Sequence, residues 1–200
     1  SWVQTHLSEN PDEVEWVKKL FPEAKNYTDV YDQAGLLGRH AIMAHVIHAD
    51  DSELERLAQT GTSIAHCPTS NEALESGCMP LGRIREHGIL YALGSDVGAG
   101  PSLSMLHVTK GYLNTHQGPE HVFPTEALYR ATLAGAEVLA LDRKAGNLDE
   151  GKEANFVMII SPGTSSAHDA DSLLREILAG SQHDLENAVQ RTYLAGRRIF

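Results

Sequence analysis

The chain of 200 residues, 42% hydrophobic and 22% charged, is long enough for one domain with a sizeable core and has the balance of a soluble globular protein. Its net charge of −11 argues against a nucleic-acid partner, because nothing would displace counterions from a phosphate backbone, and no apolar run is long enough to span a membrane. Cys67 and Cys78 form no CxxC pair, which disfavours a disulfide framework or a thiolate zinc cage; the expected setting is a reducing cytoplasm and the expected partner a small uncharged molecule.

In chain order, "WVQTH" (2–6) reads as a strand running into a helix near 11–21. Asn10 suits the N-cap, Pro11 the first helical position and Glu13 a capping box, while Val14, Val17 and Phe21 repeat at helical spacing. "AIMAHV" (41–46) leads to a helix over 51–60, capped by Asp50, Asp51 or Ser52. "SIAHCP" (63–68) is followed by a loop and a helix near 79–87, and "ILYALGSD" (89–96) by a Gly-rich turn and a helix near 102–116. A further helix is expected over 124–140. Apolar runs alternating with amphipathic helices predict parallel βα units. The segments around the two Ala-His pairs, 44–45 and 65–66, resemble each other weakly, as repeats of such a unit. From 146 the pattern changes to glycine turns, a short strand at 156–160, a polar loop at 161–169, a helix over 170–179 and two short strands around Ala195-Gly196. This tail predicts a small β appendage. The chain starts at Ser1, at the edge of a strand, and is expected to be the C-terminal part of a longer protein.

The polar residues are informative by position. His6, His45, His66 and Asp96 stand at the ends of the four predicted strands, at intervals suited to βα units of roughly 30 residues. In a (β/α)8 barrel those ends converge on the catalytic face. Imidazoles with a carboxylate there suit Zn²⁺ or Fe²⁺ rather than Ca²⁺. Glu9, three past His6, could move protons for a metal-activated water. Each residue also has a plainer explanation. A single strand-end His is more often structural, Glu9 could favour the positive end of the following helix, and Asp96 could be a turn former. His48 is assigned to a loop or an outer layer, and His66 is open between ligand and structural residue.

"QTHLSEN" (4–10), "AIMAHVIHADDSELERLAQTGTSIAHCPTSN" (41–71) and "ALGSDVGAG" (92–100), in this order, resemble the metal-dependent amidohydrolase superfamily. The likeness is to its cytosine, guanine and triazine deaminase branch, and more closely to the guanine deaminases. It extends through "NYTDVYDQAGLL", "SLSMLHV" and "AGNLDEGKEANFVMI". The resemblance implies an α/β fold: the C-terminal half of a (β/α)8 TIM-type barrel over 1–145, strands five to eight, and part of a small β-sandwich appendage over 146–200. It implies His6 and Asp96 as metal ligands, Glu9 as the proton shuttle and His45 as the residue contacting the metal-bound water. His66, Ser70 and Asn71 fall in a motif that shapes the site.

The implied reaction is hydrolytic deamination of guanine to xanthine and ammonia, with Zn²⁺, or Fe²⁺ as the alternative, in a cytoplasmic homodimer. The family's first-strand His-x-His pair, its first four strands and the Arg-Phe segment that grips the purine are absent from these residues, and Asn155 stands where Asp is common. Two alternatives therefore accompany the guanine reading: a related hydrolase acting on 8-oxoguanine, a triazine or another aminated ring, and a non-catalytic fragment.

Overall fold

A computed structural model describes residues 1–159 and 166–200. The first 101 residues make one compact unit and residues 102–200 a second. Unit one is built on a four-stranded sheet in the order β1-β2-β3-β4: β1 is Val3–Leu7, β2 Ala41–His45, β3 Ser63–His66 and β4 Tyr91–Leu93. Every neighbouring pair is parallel, so all four C-terminal ends lie along one edge of the sheet.

The predicted elements form where capping chemistry and periodicity agree. In α1, Pro11–Leu20, Asn10 accepts from Asp12 N and the reciprocal bond from Glu13 completes a capping box. In α3, Asp51–Thr60, Asp50 plays the same part with Glu53, and Gly61 in the left-handed conformation (φ 71°) closes the helix. Leu54 and Leu57 of α3 are fully buried together with Met43, Ile64 and Ile84, each burial worth about 1.5–3 kcal/mol. Glu53 is also buried, yet its Oε1 accepts from Thr28 N (3.0 Å) and Thr28 Oγ1 (3.1 Å) and its Oε2 from Asp50 N (2.9 Å). These bonds replace its lost hydration, and they pin α3 to the start of α2, Tyr27–Gln33.

Several elements differ from the sequence expectation. Helix α2 was not anticipated, although Asn26 caps it by accepting from Asp29 N. The expected loop after β3 is a short helix, α4, Pro68–Ala73; six residues are too few to show periodicity, and only Pro68 at the first position signals it. The later helix, α5, is Leu81–Glu86. Strand β4 stops at Leu93, so Asp96 lies three residues beyond the strand, not at its end.

Unit two begins with α6, Met105–Thr115, followed by a 3₁₀ turn at Gly118–Glu120. The helix expected over 124–140 is two: α7, Pro124–Ala131, and α8, Leu133–Val138. They part at Thr132 (φ −131°, ψ −90°), whose hydroxyl bonds back to Leu128 O at 2.6 Å, an alternative to regular helical bonding. Helix α7 packs on α6, α8 and α9, the last spanning Ala170–Leu178. The tail carries α10, Gln182–Glu186, and an antiparallel sheet β5-β6-β7 of Phe156–Ile159, Val189–Leu194 and Arg197–Arg198. Asn155, which departs from the family pattern, accepts from Ala195 N at 2.7 Å and so ties the start of β5 to the β6-β7 turn. Residue 160 of the expected strand and 161–165 of the expected loop lie outside the described residues.

Candidate active site and metal centre

Register places small residues on the face of the sheet that carries His6. His6 pairs with Ala44, Ala44 with Ala65, and Ala65 with Ala92; paired residues of parallel strands share a face. Ala44 and Ala65 leave room for a cavity of about 340 Å³, lined also by Gln4, Thr5, His6, Cys67, Gly94, Ser95 and Asp96. Strict alternation would turn His45 away from this face. Instead the backbone turns left-handed at His45 (φ 72°) and Val46 (φ 52°). The imidazole thereby stacks on that of His6, with centroids 5.4 Å apart and planes 15° apart. Such conformations cost of order 1–3 kcal/mol each, most for a β-branched residue such as Val46, and persist only where surrounding structure imposes them.

Asp96 reaches the same point from a strained turn. Its φ is 46°, and its carbonyl accepts from Ala99 N (3.2 Å) and Gly100 N (2.6 Å). A Cβ at Gly100 would stand 2.1 Å from Ser95 O, so only glycine allows this closure. Ser70 Oγ then donates to Asp96 Oδ2 at 2.7 Å. On His45, Nδ1 meets Asn71 Oδ1 at 2.8 Å. An amide oxygen can only accept, so Nδ1 donates to it and Nε2 is the ring nitrogen turned towards the cavity. The unanticipated α4 is what delivers both Ser70 and Asn71.

Nε2 of His45 is buried and has no hydrogen-bond partner among the described residues. Glu9 Oε2 stands 3.4 Å from it and Asp96 Oδ2 3.8 Å. Two carboxylates and an imidazole nitrogen so close together make a pocket that suits a proton or a cation. Ligand atoms of His6, His45 and Asp96 all lie within 4.8 Å of one another, and imidazole with carboxylate is a donor set that Zn²⁺ and Fe²⁺ accept. The chain's own donors therefore fit a divalent transition metal. His66 is fully buried and stands outside this cluster. His48 donates from Nε2 to Ser76 O at 2.9 Å, an outer-layer role.

Glu9 does not serve the start of α1, which has its own caps. Its carboxylate turns to His45 and to Ser76, whose Oγ donates to Glu9 Oε1 at 3.0 Å. Two supports escaped sequence reasoning. Ser76 lies 67 residues from Glu9 with no motif to mark it. Tyr31 donates to the His6 carbonyl at 2.9 Å and receives the Thr5 hydroxyl at 3.1 Å, anchoring the His6 backbone.

Cys67, buried beside the cavity, has its thiol pushed up to about 12 by burial and by the charges of Asp96 and Glu9. At pH 8 such a thiol is ionised to about one part in 10⁴, and the thiolate is the nucleophile. Iodoacetamide at pH 8 is expected to label the exposed Cys78 at least ~100-fold faster than Cys67, as peptide mass mapping of a time course would show. Equal rates would refute the buried placement.

Residues 1–197 match the amidohydrolase family. Guanine deaminase of Escherichia coli is 37% identical over 100% of this chain and 47% of its own length. Its solved structure aligns with a TM-score of 0.92 at 36% identity, over 100% of this chain and 48% of that one. A C. acetobutylicum guanine deaminase with guanine bound in its active site aligns at 0.85 and 30% identity, over 98% and 48%. An adenosine deaminase from Xanthomonas campestris with bound zinc aligns at 0.83 and 25% identity, over 98% and 45%. The chain spans about half the length of the relatives it matches, and its parallel sheet is a portion of the amidohydrolase (β/α)8 barrel. From the parallel βα units, the converging histidines and aspartate and a match along nearly its whole length, this chain belongs to the amidohydrolase family.

Proposed function

We propose that the polypeptide carrying this chain is a hydrolytic deaminase of guanine, converting guanine and water to xanthine and ammonia. The observation that carries the reading is the Glu9 carboxylate 3.4 Å from Nε2 of His45, in a cluster where His6 and Asp96 add metal-type donors. Guanine bound in a relative 30% identical to this chain supports the choice of substrate. Residues 1–145 are taken as the barrel portion and 146–200 as part of a small β domain.

In this mechanism His6 and Asp96 would hold a divalent metal, Zn²⁺ in the first instance or Fe²⁺, and His45 faces the attacking water. When bound, the metal supplies a water acidified to near neutral pH. Glu9 takes a proton from the attacking water and passes it to the ring nitrogen beside the amino-bearing carbon. The oxygen adds to that carbon. His45 and Asp96 orient the tetrahedral centre. Glu9 then takes the remaining proton from the added hydroxyl and delivers it to the amine; the C–N bond breaks, ammonia leaves and the carbonyl forms. The shuttle begins and ends as carboxylate, so protons balance. We further place the protein in the cytoplasm, where two cysteines without a CxxC pair are in keeping with a reducing setting, and take it as a homodimer. Among the described residues no helix is long and apolar enough to cross a membrane.

The test is ammonia and xanthine release from guanine by the native polypeptide, with metal content measured on the same sample. Both products in equal amounts are expected. Ammonia from a triazine or 8-oxoguanine but not from guanine would move the reading to a neighbouring activity, and ammonia from no aminated ring would overturn it.

A further inference from the structure

Glu9 follows Ser8, whose φ of 51° ends the extended backbone of β1. The Glu9 side chain is only partly covered, 19% exposed, and a free carboxylate there would sample several rotamers. One contact fixes it. Ser76 Oγ donates to Oε1 at 3.0 Å, which leaves Oε2 as the oxygen facing His45. Ser76 is itself held on both sides. Its N–H donates to Asn71 O at 2.9 Å, and its carbonyl accepts from His48 Nε2 at 2.9 Å. Gly77 follows at φ 116°, a conformation that side chains rarely adopt, and a Cβ there would press on Ile47 Cγ2 at 3.1 Å, so glycine suits this turn against the 47–48 segment. Asn71 also receives the His45 Nδ1 proton. The segment 71–77 therefore fixes both His45 and Glu9.

We propose that Ser76, anchored by His48, is a positioning residue that selects the rotamer of Glu9 and assigns its two oxygens different tasks. One oxygen is tied to a hydroxyl, and the other is left to exchange protons. The proposal rests on the deaminase reading for the proton-carrying role of Glu9. A plainer role for Ser76 is a buried hydroxyl that needs an acceptor and happens to meet Glu9. The two differ in one respect: positioning acts only through Glu9, whereas a packing or stability role does not.

The experiment compares the native polypeptide with Ser76→Ala, Ser76→Cys, Glu9→Gln and the Ser76→Ala/Glu9→Gln double variant. It measures kcat and KM for guanine, bound metal and melting temperature, and solves the structure of Ser76→Ala. Loss of an outer partner commonly costs about 10–100-fold, and kcat of Ser76→Ala is expected to fall by that factor with KM, bound metal and melting temperature unchanged. Ser76→Cys, which keeps the volume but donates weakly, should fall between. In the double variant Ser76→Ala should add nothing to the loss from Glu9→Gln, because residues acting as a unit are non-additive. The Ser76→Ala structure should show the Glu9 carboxylate displaced from His45. A kcat within about twofold of the parent, multiplying effects in the double variant, or loss of metal from Ser76→Ala would each overturn the proposal. If the parent releases no ammonia from guanine, the deaminase reading falls, and the Ser76→Ala structure still decides. A displaced Glu9 sustains the positioning role and an unmoved one ends it.

Discussion

Glu9→Gln is expected to lower kcat for ammonia release by about 10³-fold, the middle of the range for a lost general acid-base group, while the protein keeps its metal. Glutamine matches the shape of glutamate and retains an oxygen to accept the Ser76 hydroxyl, now 3.0 Å from Glu9 Oε1. What it loses is basicity. The substitution thus separates proton transfer from packing. Residue 9 is not among the three whose ligand atoms converge within 4.8 Å, so metal content by elemental analysis should equal that of the parent. A role for Glu9 at the start of α1 would predict a different result. The positive end of a helix favours a nearby carboxylate by only about 0.3–1 kcal/mol, so neutralising it would shift stability slightly and leave turnover intact. The geometry already disfavours that role, because Asn10 and Glu13 cap α1 and the Glu9 carboxylate faces His45. Near-normal ammonia release from Glu9→Gln would remove Glu9 from the proton path.

What could be read in the sequence was local or repeated. The α1 capping box is an Asn and a Glu three apart, and the strand-helix alternation recurs with each βα unit, so both are visible without tertiary structure. His6, His45, His66 and Asp96 stand out because strands in parallel sheets end on one side, a rule that needs no contact map, and Glu9 because it lies three past His6. The structure brings His6, His45 and Asp96 together but by means the pattern does not contain. His45 faces the cavity because the strand breaks at two left-handed residues, one of them Val46, and nothing in a Val signals positive φ. Asp96 arrives from a turn closed by Gly100, not from the end of a strand. The supporting contacts were less legible still. Ser70 and Asn71 were visible as part of a motif, but their partners, Asp96 and His45, are 26 residues away, and Ser76 meets Glu9 across 67. A serine in a polar turn is ordinary, and only the folded chain shows what its hydroxyl touches.

His6→Ala is the second large effect: it should empty the metal site while leaving the fold in place. The imidazole is exposed, and the position of residue 6 is fixed by its backbone, through pairing with Ala44 and the Tyr31 hydroxyl on its carbonyl. Removing the ring therefore takes away a donor without opening the core. The remaining cluster offers one imidazole and carboxylates, and loss of a direct ligand should weaken binding by more than the about 10–100-fold typical of an outer partner. Stability then provides a readout independent of turnover. A metal that binds only the folded state adds about 2.7 kcal/mol when present at a hundred times its Kd. The melting temperature of the parent should rise when zinc is added to the stripped protein, whereas that of His6→Ala should not move and should match the stripped parent. If His6→Ala melted well below the stripped parent, the side chain would be structural rather than a ligand. If it retained stoichiometric zinc with the parent's stabilisation, the ligand set drawn from His6 and Asp96 would be wrong. The two variants together would divide the opening "QTHLSEN" by chemistry: position 6 is expected to govern whether metal is held, and position 9 whether protons move once it is.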